Sequence, residues 1–143
     1  MLTRKGTGIW EGDLAHGKGT ISFGDGAFTA PYSFLSRFEN GSGTNPEQLI
    51  SGAHAGCFSM ALSHELDQAG FTPTRVQTEA RVRMDKVDGG FKIVRIDLVT
   101  EAVVPGISQE KFLEIANMAK SGCPVSQALA AVPITLDATL LAS

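Results

Sequence analysis

The sequence predicts a mixed fold of antiparallel strands and helices, and three observations point to it. Residues 75–85 and 94–104 each alternate between apolar and polar side chains, which is typical of half-buried strands. The Asp88–Gly89 pair between them predicts a hairpin turn. Residues 46–70 instead have the apolar spacing of a long helix. A chain of 143 residues is long enough for one domain with its own core, so we expect a single domain over residues 1–143.

The composition is that of an ordinary globular protein. Hydrophobic residues make up 43%, and 12 basic against 15 acidic side chains leave a net charge of −3. Without a run of lysine or arginine, neither nucleic acid nor a membrane is expected as a partner. Residues 1–6 lead into no apolar run, and no stretch approaches the ~20 apolar residues that span a bilayer, so we expect a cytoplasmic protein.

The N-terminal third reads as short strands separated by glycines. Residues 8–11, 19–23 and 28–30 predict a meander, and residues 36–44 predict a loop. Residues 12–18 approach the spacing of a phosphate-binding loop. However, Gly19 stands where that motif needs Ser or Thr, and a strand follows in place of a helix. A glycine-rich turn is the better interpretation.

The long helix has clear end signals. Asn45 is a candidate N-cap, Pro46 suits the first helical position, Gln48 completes an approximate capping box, and Gly70 marks the end. Its apolar residues form two stripes, one containing Cys57 and the other Phe58. Members of the first are Ile50, Ala53, His54, Cys57, Met60, Ala61 and His64; members of the second are Phe58, Leu62, Leu66 and Ala69. Such a helix must be covered on two sides, so we expect a homodimer.

The C-terminal third predicts two more helices and a strand. Ser108 is placed to cap a helix running to about Lys120, with Ile107 packing against Phe112 as a hydrophobic staple. Cys123 then occupies the cap position of a short helix that starts at Pro124. Residues 134–141 predict a closing strand.

Two cysteines and one possible ion pair are the candidates for chemistry. Cys57 among apolar neighbours is often only a small hydrophobic residue. Cys123 at a helix start favours the thiolate, although Cys-Pro at such a position also occurs for purely structural reasons. Arg37 in a polar loop and Glu47 in the first helical turn are each ordinary surface charges on their own. Together they are more informative: an arginine that a carboxylate holds beside a cysteine can stabilise the cysteine thiolate at neutral pH, which a thiol nucleophile requires.

Two histidines raise rival interpretations. His54 and His64 share the stripe of Cys57, which suggests a metal site or a Cys/His hydrolase. The spacing matches no common zinc signature, and a histidine flanked by alanines is more typical of a hydrogen-bonded packing residue. We therefore predict no metal and no other cofactor.

Four segments carry a family resemblance. They are Ser36-Arg37-Phe38-Glu39, residues 43–50 (Gly-Thr-Asn-Pro-Glu-Gln-Leu-Ile), residues 53–61 (Ala-His-Ala-Gly-Cys-Phe-Ser-Met-Ala) and residues 122–129 (Gly-Cys-Pro-Val-Ser-Gln-Ala-Leu). These segments closely resemble the OsmC/Ohr family of thiol peroxidases, over roughly residues 4 to 141. The position of Arg37 is similar to that in the OsmC branch; the organic-hydroperoxide-resistance branch has its arginine nearer the N-terminus.

The resemblance implies an α+β fold in which two subunits intertwine around long central helices, with antiparallel sheets outside and two active sites at the interface. Carried over by motif, Cys57 becomes the peroxidatic cysteine, Cys123 the resolving one, Arg37 the activating cation and Glu47 its carboxylate partner. Apolar residues near them would favour organic over hydrogen peroxide by binding an alkyl tail. These substrate-binding candidates are Phe38, Ile50, Met60 and Phe112.

The implied reaction is reduction of a hydroperoxide to an alcohol, through a Cys57 sulfenic acid and then a Cys57–Cys123 disulfide. The family suggests a small dithiol or a lipoyl group as the reductant, and a role in defence against oxidative and osmotic stress. The alternative hypothesis is a non-catalytic dimeric domain that binds a small apolar ligand, with both cysteines incidental.

Overall fold

The computed structural model describes residues 1–142, which divide into two compact units, Met1–Leu49 and residues 50–142. The prediction of one domain over residues 1–143 stays a prediction. No helix within the described residues is long and apolar enough to cross a membrane.

The first unit opens with the predicted meander. Strands β1 (Gly6–Glu11), β2 (Lys18–Phe23) and β3 (Phe28–Tyr32) pair in that order, both pairs antiparallel. Residues 12–17 connect β1 to β2, so the glycine-rich segment is a hairpin connection followed by a strand, as predicted. Pro31 lies in β3, an edge strand, where its missing N–H is tolerated.

The expected loop over residues 36–44 is partly wrong, because helix α1 occupies Phe34–Phe38. Two serines make this short helix possible. The Ser36 N–H donates to Ser33 Oγ at 3.1 Å, and the Ser33 N–H donates to Ser36 Oγ at 2.8 Å. This reciprocal cap satisfies the free N–H groups at the helix start. Serines are also common in loops, which is why the composition of the segment misled the prediction.

Helix α2 spans Pro46–Gln68 and begins and ends as predicted. The Gln48 N–H donates to Asn45 Oδ1 at 2.8 Å, which confirms Asn45 as the N-cap. The Asn45 side-chain amide also donates to the Ser36 carbonyl at 2.9 Å, joining the start of α2 to α1. At the other end, Gly70 has φ +90°, a conformation that favours glycine and stops the helix.

The second unit contains a three-stranded sheet with order β4-β5-β6. Strands β4 (Arg75–Val87) and β5 (Gly90–Val103) form the predicted antiparallel hairpin, which turns at Gly89 with φ +90°. Strand β6 (Ile134–Leu140) pairs with β5 in parallel, so this sheet is mixed. Helices α3 (Gln109–Gly122) and α4 (Pro124–Ala128) form the crossover that a parallel pair requires. The α+β class is confirmed.

One ionic cluster links the three strands of this sheet. Asp97 on β5 accepts hydrogen bonds from Arg83 on β4 at 2.5 Å and from Thr135 on β6 at 2.6 Å, and Arg95 Nε lies 2.8 Å from it. The hydrogen bonds from Thr135 and Arg83, with that from Arg95, hold the pKa of Asp97 far below its usual range. Asp97 therefore stays ionised and ties the strands together.

The core of the second unit lies between α2, α3 and the sheet. It contains one of the two predicted stripes of α2 together with side chains from β5 and α3; its largest fully buried apolar members are Phe58, Leu62, Leu66, Ile96, Leu98 and Phe112. The opposite face of α2 is open. Gly52, Ala53 and Gly56 are exposed there, and Met60 is 76% exposed. The chain therefore covers Phe58, Leu62 and Leu66 of the Phe58 stripe fully and leaves the Cys57 stripe partly exposed, with His54 buried and Ala53 and Met60 open.

Candidate active site

The two cysteines meet in the second unit. Cys57 lies midway along α2, and Cys123 lies at the junction where α3 ends and α4 begins. Both are free thiols, and their Sγ atoms are 3.0 Å apart. A disulfide needs a separation of about 2.05 Å, so a shift of about 1 Å would join them. The fold places two reduced thiols, 66 residues apart in sequence, within reach of each other.

The two thiols differ in access. Cys123 is fully buried, whereas Cys57 is only partly buried. Cys57 also lines an open cleft of about 310 Å³. The other lining residues are Met60, Ala61, His64, Glu65, Ala119, Gly122 and Pro124. A small molecule in this cleft can reach Cys57 but not Cys123.

The two thiols also differ in acidity. Burial, and then the hydrogen bond with Cys123, raise the pKa of Cys57. Burial also acts to raise the pKa of Cys123, but the hydrogen bond with Cys57, and then the polar groups of Ser126 and Val125, outweigh it, and the net pKa is lowered. Within the chain, the accessible thiol is the weaker acid and the sealed thiol is the stronger one.

Arg37 and Glu47 form a two-pronged ion pair in the first unit. Arg37 Nε donates to one carboxylate oxygen of Glu47 at 3.0 Å, and an Arg37 terminal nitrogen donates to the other at 3.2 Å. The Glu47 side chain is only 11% exposed, and the Phe38 ring centroid lies 5.3 Å from the guanidinium carbon. Such a bidentate pair holds the guanidinium in one orientation. The predicted partnership of Arg37 with Glu47 is therefore present in the structure.

A cavity of about 210 Å³ lies beside this ion pair in the same unit. Aromatic side chains form most of its wall; the lining residues are Trp10, Leu14, Tyr32, Ser33, Phe34, Arg37 and Phe38. The ring centroids of Phe34 and Phe38 are 5.1 Å apart, and those of Trp10 and Tyr32 are 5.2 Å apart. The guanidinium thus borders an apolar cavity large enough for part of a small organic molecule.

A buried polar pair adjoins Cys123. His54, on α2 one turn before Cys57, is fully buried, and its Nε2 lies 2.7 Å from Ser126 Oγ on α4. The interpretation of His54 as a hydrogen-bonded packing residue is confirmed. Sequence reasoning did not select Ser126, although it lies in one of the motifs that carry the family resemblance. A serine near a helix start is common, and only its tertiary contact with His54 sets this one apart.

Comparison with known proteins identifies the family. The family model described as OsmC-like protein matches residues 39–137, more than half of the chain. The chain belongs to the OsmC-like family. This OsmC-like chain is 55% identical to peroxiredoxin OsmC of Escherichia coli K12 over 137 residues, 95% of either protein. It is 35% identical to the organic hydroperoxide resistance protein OhrB of Bacillus subtilis over 91 residues, 63% of this chain and 65% of that one.

Solved structures agree with this assignment. The crystal structure of Bacillus subtilis OhrB matches 96% of this OsmC-like chain and 98% of its own, with a TM-score of 0.73 and 29% identity. An OsmC-like protein of Mycoplasma pneumoniae matches 98% of both chains with a TM-score of 0.75, and at 16% identity it shows the fold alone. The predicted family is confirmed.

The four predicted substrate-binding residues of the OsmC-like chain lie in different settings. Phe38 borders the aromatic cavity, and Met60 borders the cleft at Cys57. Ile50 is half-buried near the start of α2. Phe112 is fully buried in the core of the second unit and does not line the cleft. Its packing gives Phe112 a structural role, and its contact with substrate stays a prediction.

The histidine and cysteine positions do not assemble a metal site. Within residues 1–142, no group of three or more His, Cys, Asp and Glu side chains is arranged to hold a metal ion. His64 lines the cleft near Cys57, while His54 is directed to Ser126.

Proposed function

We propose that this chain is a two-cysteine thiol peroxidase that reduces organic hydroperoxides to alcohols. The observation that carries the proposal is the 3.0 Å approach of two free thiols, one open to a cleft and one sealed behind it. The coarser prediction, a peroxidase, is confirmed by relatives named peroxiredoxin and organic hydroperoxide resistance protein. The residue roles and the preferred peroxide are the proposal.

Cys57 makes the first attack. Its thiolate forms a bond to one oxygen of R–O–O–H, the O–O bond breaks, and the alkoxide leaves and takes up a proton as alcohol. Cys57 is the accessible thiol, but its pKa is raised by burial, so it needs a cation to ionise at neutral pH. We assign that role to Arg37, which Glu47 already orients. The same guanidinium would stabilise negative charge developing on the peroxide oxygens.

Cys123 makes the second attack. Its thiolate displaces hydroxide from the Cys57 sulfenic acid, so that a sulfur–sulfur bond replaces the sulfur–oxygen bond. The lowered pKa of Cys123 and its distance of 3.0 Å from Cys57 support this role. Rapid capture prevents a second peroxide from oxidising Cys57 to sulfinic acid. An external dithiol must then reduce the disulfide, and we propose a small dithiol or a lipoyl protein for that step.

Organic substrates are favoured over hydrogen peroxide because the site residues border apolar surfaces. Met60, Ala61 and Ala119 line the cleft at Cys57, and aromatic rings line the cavity at Arg37. An alkyl or aryl tail gains free energy by leaving water for such surfaces, and hydrogen peroxide has no tail to bury. Hydrogen peroxide would then be a weaker substrate.

A homodimer in the cytoplasm completes the proposal. One face of α2 carries small residues and the 76%-exposed Met60, and a second copy would cover that apolar surface. Arg37 would act within its own chain or on the second copy. A reducing compartment keeps both cysteines as thiols between turnovers, which suits a redox cycle in oxidative and osmotic stress defence.

A thiol count with product analysis tests the proposal. The reduced protein is mixed with one equivalent of cumene hydroperoxide, and free thiols and cumyl alcohol are measured. A peroxidase loses both thiols and releases one equivalent of alcohol. A domain that only binds small apolar ligands keeps both thiols and releases none, and that result would overturn the proposal. Parallel stopped-flow runs with hydrogen peroxide test the preference for organic substrates.

A further inference from the structure

Three hydroxyl side chains connect α2 to the sheet of the second unit. Ser59 Oγ on α2 donates to Thr78 Oγ1 on β4 at 2.7 Å, and Thr78 Oγ1 lies 2.9 Å from Thr100 Oγ1 on β5. Thr100 Oγ1 donates to the Gln77 carbonyl at 3.0 Å. Thr78 and Thr100 are directly opposite each other in the β4–β5 register, and Thr100 is fully buried. Ser59, Thr78 and Thr100 therefore form one continuous hydroxyl network from the helix into the sheet.

The direction of the donors in this network follows from its last acceptor. A carbonyl can only accept, so the single hydroxyl proton of Thr100 is used on Gln77. Thr78 must then donate to Thr100, and its oxygen is left to accept from Ser59. A serine inside a helix ordinarily donates to the carbonyl four residues earlier or faces water. Ser59 instead uses its proton on a strand, and each of the three hydroxyl protons has an acceptor.

Apolar side chains of the same shape would fill this part of the core equally well. Valine nearly matches threonine in shape, and replacing both partners of a buried hydrogen bond by apolar groups can be nearly neutral for stability. The hydroxyl network differs in that its hydrogen bonds form only over a small range of distance and angle, whereas apolar contacts have no direction. A fully bonded polar network of this kind fixes one arrangement of the elements that it joins. It thus fixes how α2 lies on the sheet.

The rotation of α2 about its own axis affects the distance between the two sulfurs. Cys57 and Ser59 are two residues apart, which is about 200° around a helix. They lie at opposite edges of the buried face, with Phe58 buried between them and Gly56 and Met60 on the exposed side. Because Cα atoms lie ~2.3 Å from the helix axis, a rotation of about 25° moves each of them by about 1 Å. A change of that size separates the 3.0 Å contact of the thiols from a disulfide.

We propose that the residues of the hydroxyl network are positioning residues, which hold the rotation of α2 and thereby the approach of Cys57 to Cys123. This inference rests on the proposed function and deepens it, because that approach serves the resolving step. In that step a sulfur–sulfur bond replaces the sulfur–oxygen bond of the Cys57 sulfenic acid, and hydroxide leaves and takes up a proton as water. The network exchanges no proton with the thiols and acts on them only through the position of the helix.

Exchange with glutathione tests the hydroxyl network in the full-length protein without any peroxide. Oxidised glutathione takes up two electrons from Cys57 and Cys123 and is released as two molecules of glutathione. The oxidised fraction of the protein at a set glutathione ratio therefore gives the equilibrium constant of the disulfide. Ser59→Ala and Thr78→Val each remove a hydroxyl, and Thr78→Ser keeps it. Ile96→Val is the matched control, since it removes a buried methylene from the same core and leaves the network intact.

We expect Ser59→Ala and Thr78→Val each to lower this equilibrium constant by about fivefold, the scale of one hydrogen bond. Because the hydroxyls act as a unit, the double variant should lose little more than either single variant. Thr78→Ser and Ile96→Val should both stay within about twofold of wild type. Unchanged constants in Ser59→Ala and Thr78→Val, a Thr78→Ser variant as impaired as Thr78→Val, or additive losses would overturn the inference. Should Thr78→Val fail to fold, the result for Ser59→Ala decides.

Rapid-quench kinetics with cumene hydroperoxide separate this inference from the proposed function. Alcohol release reports the attack by Cys57, and disulfide formation, followed by mass spectrometry, reports the attack by Cys123. Ser59→Ala should slow disulfide formation by about fivefold and alcohol release by less, since only the second attack needs both sulfurs. Equal slowing of the two steps would contradict a positioning role. If wild type consumes no hydroperoxide, the proposed function fails, and the glutathione measurement still decides whether the hydroxyl network sets the approach of the thiols.

Discussion

The surroundings of Cys57 and of Cys123 differ although the two sulfurs are 3.0 Å apart. Cys57 faces an open cleft, and burial together with its neighbour keeps it a weak acid. Cys123 is fully buried, yet the hydrogen bond with Cys57, and then the polar groups of Ser126 and Val125, lower its pKa. Access and acidity are thus assigned to different thiols. Under the proposed function, the accessible thiol would need a cation from elsewhere, whereas the pKa of the sealed thiol is already lowered by its neighbours, Cys57 first.

Removing each sulfur in turn is the strongest way to break this comparison. Cys57→Ser should abolish peroxide consumption, because the sealed Cys123 cannot meet the substrate. Cys123→Ser should release one equivalent of alcohol and then stop, with Cys57 as sulfenic or sulfinic acid. Mass spectrometry of the quenched protein distinguishes these products. Full activity in both variants would show that neither thiol takes part.

A charge on the open face of α2 should have the next largest effect. Met60→Glu places a carboxylate on the apolar surface that we assign to a second copy, so the dimer and the peroxidase activity should be lost together. Light scattering should then give the mass of one chain in place of two. The buried neighbour Leu62 is unsuitable for this test, since a charge in the core would unfold the chain. Gln68→Glu, on an exposed position of the same helix, is the control. A monomeric wild-type protein with full activity would refute the assignment.

The proposed dependence of Cys57 on a cation is tested at Arg37. Arg37→Met should slow alcohol release by ~10² and raise the pKa of Cys57, which is the scale of losing one preorganised charge donor. Glu47→Gln should slow the reaction less, because it removes only the group that orients the guanidinium. Stopped-flow kinetics and thiolate absorbance measure both effects. Arg81→Met is the matched control, since it breaks an exposed pair with Glu79. An unchanged thiolate signal in Arg37→Met would contradict the role.

The smallest of the four expected effects is a change of folding stability with pH, and it comes from the buried His54. The unfolded chain protonates His54 near a pKa of about 6.5, whereas burial lowers the pKa in the folded state. As pH falls below about 6.5, the unfolded state therefore binds a proton that the folded state resists, and folding stability decreases. Above that pH the contribution of His54 is constant. His54→Gln should remove this part of the slope.

Urea unfolding at a series of pH values measures this pH dependence of stability. Wild type and His54→Gln are both kept reduced and at one fixed concentration. The relevant quantity is the difference in free energy of unfolding between wild type and His54→Gln. That difference should change below pH ~6.5 and be flat above it. Parallel curves across the whole range would mean that the burial of His54 is not linked to protonation.

Local patterns in the sequence were sufficient for most of the secondary structure. The alternation in residues 75–85 and 94–104 predicted the hairpin, and Asn45, Pro46 and Gly70 predicted the bounds of α2. These signals act between residues that are close in the chain, where side-chain periodicity and capping chemistry decide the outcome. The motifs around Cys57 and Cys123 likewise sufficed for the family. The pairing of Arg37 with Glu47 was expected from the complementary charges of the two side chains together with the family resemblance, since each on its own is an ordinary surface charge.

Only the tertiary structure decided which groups meet across long stretches of chain. It brought Cys57 to Cys123 and His54 to Ser126, and it gathered Arg83, Asp97 and Thr135 from three strands. It also set β6 parallel to β5 and buried Phe112, which its sequence context had suggested for substrate binding. No local pattern encodes such contacts, because they depend on how helices and strands pack. The pKa of a thiol depends on the same packing, so the division of access and acidity between the two cysteines became visible only in the fold.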